Sequence, residues 1–185
     1  MAFQMNLPTT EGAARKLLAD LDAPAALRAH AEITLGIAKK LLRSLERRVE
    51  RAVFDRDLVY AGCLLHDVGK IFVPYELCRP GVAHESAGYI MLLREGADEL
   101  LASMCHGHRW FGGLGSSSLE RQLVAIVSAM ATGRRNKRVE SELLMALGQR
   151  GIAADGQLRV AFTALTNHDL PDAPPTPPRP SVLPR

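Results

Sequence analysis

The chain has 185 residues, 47% hydrophobic and 23% charged, with a net charge of +3 at pH 7. That length suits one domain with a sizeable core, and the mild positive balance is too weak to imply nucleic acid while suiting a phosphate-bearing substrate. Cys63, Cys78 and Cys105 form no CxxC pair, which argues against a disulfide scaffold; with no apolar run near ~20 residues and no basic-then-apolar leader in MAFQMNLPTTEG, a cytoplasmic protein with no membrane span is expected.

In chain order the pattern is helical. Thr10-Glu11 opens a short amphipathic helix running to about Leu21. Asp22 and Pro24 then signal a second start. From there Leu27, Ile33, Ile37, Leu41, Leu45 and Val49 keep helical spacing to about residue 52. Leu58 to Val68 is short and strongly apolar, the pattern of a buried helix, broken by Gly69 and Pro74. Helices are predicted at about 84–95 and 97–107, then at 118–132 beyond a glycine- and serine-rich loop, at 137–150, and from Asp155 to Asn167. No stretch alternates with period two over strand length, so a sheet is not expected. The stretch 171–185 is proline-rich, and proline removes backbone donors and fixes φ. It reads as a disordered or polyproline-II tail after one domain over 1–170. An inert tail is the simpler reading than a docking segment.

Five of the six histidines fall between residues 30 and 108: His30, His66, His84, His106 and His108. A lone helical histidine is more often a satisfied core or surface residue than a ligand, so the group carries the argument. His66-Asp67 lies in the apolar run Ala61-Gly-Cys-Leu-Leu-His-Asp-Val-Gly-Lys70. Burying an unpaired carboxylate beside an imidazole is costly, and metal coordination removes that cost. Imidazole nitrogen with carboxylate oxygen suits Mn, Fe, Co, Ni or Zn. Gly69 permits a sharp turn, and Lys70 adds a cation able to hold a phosphate oxygen. The bland alternative is a helix C-terminus, with Asp67 in a hydrogen bond, Gly69 as C-cap and Lys70 on the helix dipole.

The stretch LLHDVGK closely resembles the signature of the HD superfamily of metal-dependent phosphohydrolases. The likeness runs from about Lys16 to Gly133. Pro24-x-x-Leu27-x-x-His30 is similar to the family's first-helix histidine, and His84 to Gly88 to the segment with a third histidine. His106 falls where a fourth is expected. Val68 to Pro74 and His106-Gly-His-Arg-Trp110 have a distant likeness to the HD-GYP branch, without its Gly-Tyr-Pro.

The resemblance implies an all-α HD-domain bundle of about six to eight helices. It also implies one or two divalent ions (Mn, Fe, Co, Ni, Zn or Mg) held by His30, His66, Asp67, His84 and His106, with Asp67 bridging. A metal-activated water would attack phosphorus in a nucleotide or related phosphoester. Asp67 and Lys70 would be catalytic; Lys70, His108 and Arg109 would bind substrate. The expected partner is thus a phosphate-bearing small molecule, a nucleotide by preference; the resemblance leaves a homo-oligomer open. The family's closing aspartate is replaced by Ser128 in Ala125-Ile-Val-Ser-Ala-Met-Ala-Thr-Gly133. A hydroxyl replaces a carboxylate ligand poorly, which favours the alternative of a non-catalytic HD module binding a nucleotide or partner protein as a regulator. The retained histidines, Asp67 and Lys70 favour catalysis.

Overall fold

A computed structural model describes residues 8–46, 54–106 and 118–132, together with 141, 144–145 and 147–149. Every regular element among them is helical. Six α-helices span Glu11–Asp20 (α1), Ala25–Glu46 (α2), Arg56–Leu65 (α3), Ala83–Arg94 (α4), Glu99–Ser103 (α5) and Leu119–Ala131 (α6). Two 3₁₀ turns, Val68–Ile71 (η1) and Pro74–Leu77 (η2), connect α3 to α4.

Local chemistry explains most boundaries. Thr10, Asp55, Asp98 and Ser118 are extended N-caps whose side chains accept from the backbone N–H three residues on. Asp22 takes a left-handed φ of 48° between α1 and α2, a conformation that aspartate tolerates better than most residues. On α2 one face buries Leu27, Ala31, Leu35, Ala38, Leu41, Leu42 and Leu45. That is the periodicity of an amphipathic helix on a core.

Helix α3 is the central element. Every residue from Leu58 to Leu65 is buried, because α1, α2 and α6 all pack against it. α4 lies against η1 and α5, and α2 also packs on α6. The apolar run that predicts a helix to Val68 stops being α-helical at Leu65, and Val68 opens η1 instead. The reason is a close approach. A Cβ on Gly69 would overlap the backbone carbonyl oxygen of His84, and one on Gly88 would lie 3.0 Å from the Gly69 nitrogen. Two glycines therefore bring η1 and α4 backbone to backbone, and a continued α-helix would carry the chain away from that contact.

Two other expectations differ in extent. The helix expected over 97–107 is α-helical only at Glu99–Ser103, and Pro74 starts a 3₁₀ turn instead of a bare break, as proline's fixed φ and missing donor allow at a first helical position. The expected helix from Asp155 and the tail at 171–185 lie outside the described residues, as does most of 137–150. Among the described residues no helix is long and apolar enough to cross a membrane, and Cys63, Cys78 and Cys105 are free thiols.

Candidate metal centre

His66 closes α3, its backbone N–H still donating to the Gly62 carbonyl at 2.8 Å. Asp67 leaves the helix at φ −105°, ψ 7°. The pair thus stands where α-helix gives way to 3₁₀ turn, deep in the protein: His66 is 1% exposed and Asp67 3%.

The Asp67 carboxylate gathers side chains from four elements. Its Oδ2 lies 3.7 Å from His30 Nε2 on α2 and 3.7 Å from His66 Nε2. Lys70, on η1, donates to that same oxygen. Oδ1 faces the other way, 3.2 Å from His84 Nε2 on α4. His84 is wholly buried. The His30 and His66 rings are tilted against each other at 5.5 Å between centroids.

Hydrogen-bond partners set the state of each ring. His66 Nδ1 is 3.0 Å from the Cys63 carbonyl, an acceptor only, so Nδ1 carries the proton and Nε2 presents its lone pair. Ser128, on α6, places its hydroxyl 3.1 Å from that lone pair and donates to it. Burial pulls the His66 pKa down, against the pull of Asp67. His30 is lowered to about 4, first by burial and then by His66, with Asp67 opposing. Both rings are therefore neutral at pH 7.

His84 behaves in the opposite sense. Burial alone would lower it, but the neighbouring Asp67 and Glu76 carboxylates outweigh burial and raise it. Its Nδ1 donates to the buried carboxylate of Glu76. Glu76 accepts also from the backbone N–H of Ala83 at 3.1 Å and of His84 at 3.2 Å. Burial would raise the Glu76 carboxyl, yet these donors hold it below its ordinary value.

The donor set fits a divalent cation. His30, His66 and Asp67 each offer one ligand atom, all within 4.8 Å of one another. Two neutral imidazoles and a carboxylate oxygen are the ligand types of transition-metal sites. Ligand atoms about 2.1 Å from one ion and at adjacent positions stand roughly 3.0–3.4 Å apart. The 3.7 Å separations on Oδ2 lie just above that range, and the 3.2 Å on Oδ1 lies within it. The Cys63 carbonyl supplies the outer hydrogen bond that orients a ligating histidine.

The sequence-predicted residues divide as follows. His30, His66, Asp67, Lys70 and His84 converge on one carboxylate. His106 stands outside the three-ligand group, just past α5, its ring 4.6 Å from that of Tyr89 and its carbonyl accepting from Arg121 Nη2 at 2.9 Å. His108 and Arg109 lie outside the described residues. Glu76 is not among the residues that the sequence pattern singles out, since the apolar helical run is broken there by Gly69 and Pro74. The available signal was one acidic residue within Ile71-Phe-Val-Pro-Tyr-Glu-Leu77, since a charge carried by an apolar stretch into the interior must be paired.

The model of the HD domain family matches residues 27–146, a span that holds His30, His66, Asp67, Lys70, His84, His106 and Ser128. No solved structure matches the chain.

Proposed function

The chain belongs to the HD domain family, a superfamily of metal-dependent phosphohydrolases, and from that premise we propose that it hydrolyses a nucleotide or related phosphoester with one or two divalent ions. The observation that carries this reading is the convergence of His30, His66, His84 and Lys70 on the buried carboxylate of Asp67. A divalent ion bound there supplies an activated water at neutral pH and offsets charge developing on the phosphoryl oxygens. Mn, Fe, Co, Ni, Zn and Mg are the candidates.

The chain's own residues have separate tasks. His30 and His66 offer neutral lone pairs without first losing a proton. Asp67 contributes the anionic oxygen, and because its two oxygens face different histidines it could serve both ions if two are bound. Lys70 neutralises Asp67 until a cation arrives. With an ion taking over that charge, the ammonium on its flexible stem would be able to hold a substrate phosphate. His106, His108 and Arg109 follow α5 directly in sequence and are assigned to the second ion and to the substrate. The expected setting is cytoplasmic, with a phosphate-bearing small molecule as partner.

A second reading, a non-catalytic module binding a nucleotide or a partner protein, is favoured by Ser128. Its hydroxyl occupies the lone pair of His66 where the family pattern has a carboxylate. Metal analysis of the purified protein, followed by phosphomonoester, phosphodiester and nucleotide panels with Mn, Fe, Co and Ni, separates the two. Turnover that Asp67→Ala abolishes supports the enzyme. Metal and nucleotide binding without turnover supports the module, and absence of metal uptake in the wild-type protein sinks the metal-centre reading.

A further inference from the structure

Glu76 is buried and its carboxylate has three donors: the backbone N–H groups of Ala83 and His84, and the Nδ1–H of His84. The backbone contacts alone would make it the cap of α4, whose N-cap residue Val82 makes no side-chain cap bond. Capping does not require the ring contact, however. That contact fixes which nitrogen of His84 carries the proton and leaves Nε2 as the atom facing Asp67 Oδ1 at 3.2 Å, the spacing of adjacent ligands on one ion.

We propose that Glu76 is the positioning residue of a second cation position, formed by His84 Nε2 and Asp67 Oδ1 on the far side of the carboxylate from His30 and His66. The assignment rests on the metal-centre reading above. Outer carboxylates of this kind set the tautomer and ring orientation of a ligating histidine and raise its basicity. Gly81 leaves room for the arrangement: a Cβ there would overlap the Glu76 carboxylate and push the acid from its place against the ring. Glu76 and Gly81 come from the η2 connection, and neither is part of the HD dipeptide segment.

The test is titration of the metal-free full-length protein with Co(II), followed by calorimetry and the visible absorption of the bound ion. The wild-type chain is expected to take up two ions. Glu76→Gln is expected to bind the first with wild-type affinity and the second about 10- to 100-fold more weakly. Gly81→Ala keeps the carboxylate and its charge but displaces it, and is expected to show the same selective loss. It carries the test if Glu76→Gln does not fold. Equal affinity of both variants for the second ion overturns the proposal, as does a single wild-type ion that neither variant disturbs. A lowered melting temperature with unchanged Co(II) binding makes Glu76 a cap only. A wild-type chain that binds no Co(II) overturns the metal centre itself, a different result.

Discussion

The Ser128 hydroxyl lies 3.1 Å from His66 Nε2 and donates to the lone pair that His66 turns towards Asp67. The contact is buried on both sides, so the serine sits at the coordination sphere. Replacing Ser128 by aspartate puts an anionic oxygen there without moving α6. Ser128→Asp is expected to tighten retention of the first ion on the order of tenfold, as an added charged ligand does, measured by calorimetry or by metal content after dialysis. Ser128→Ala removes the competing hydrogen bond and adds no ligand, so its gain is smaller. Equal metal retention in the aspartate variant and the wild type would remove Ser128 from the site.

Gly69 and Gly36 make a matched pair for stability. A Cβ on Gly69 meets backbone atoms of His84 and Gly88, which cannot move aside, while a Cβ on Gly36 within α2 meets nothing within 4 Å. Gly69→Ala is expected to destabilise by about 3 kcal/mol or more. Gly36→Ala is expected to stabilise by roughly 0.5–1 kcal/mol, through higher helix propensity and a less flexible unfolded chain. Urea denaturation of both variants gives the signs directly.

The paired histidines give the metal-free protein an acid limb. His30 titrates near 4 in the folded chain against an ordinary 6.5. Between those values the unfolded chain binds a proton that the folded one refuses, so stability falls as pH falls through the window. The loss from His30 is at most about 3 kcal/mol, and His66, also lowered, acts in the same direction. His84 has the opposite sign, because its raised value gives stability that is full below 6.5 and lost as pH rises through the folded value. Chemical denaturation in chelator across pH 4 to 8 checks this. His30→Gln flattens the acid limb; an unchanged limb would show that His30 is not the group being charged.

Thiol chemistry reports on the core. Cys63 and Cys105 are wholly buried, and burial pushes both thiols far above the ordinary cysteine range, whereas Cys78 is exposed. A thiol reagent at pH 8 is expected to label one cysteine per native chain and three in denaturant. Rapid labelling of all three in the native protein contradicts the packing of α3 against α5 and α6.

Much of this was legible from residues alone, for identifiable reasons. The apolar spacing of α2 and the helix start at Thr10-Glu11 are local signals, and local signals survive in a sequence. His66 and Asp67 stand out because two polar residues in an apolar run need partners, whereas His30 and His84 join them through the resemblance to the HD family. Their arrangement could not be read: which oxygen faces which ring depends on the meeting of α2, η1 and α4, far apart in the chain. Glu76 was hidden for the same reason, since its partner His84 lies across a connection without periodicity. The end of α3 at Leu65 was misplaced by three residues because Val68 continues the apolar pattern, while a tertiary contact at Gly69 decides the conformation.

That contact between Gly69 and Gly88 also bears on how such a site can diversify. Asp67 and His84 are held in register by two backbones touching, so their separation does not depend on the length of chain strung between them. The intervening connection is a handle on the outside of a fixed joint. Away from Glu76 and Gly81, which set the His84 ring, it can gain residues and so redraw the approach to the carboxylate while the backbone separation of Asp67 and His84 stays where the glycines put it.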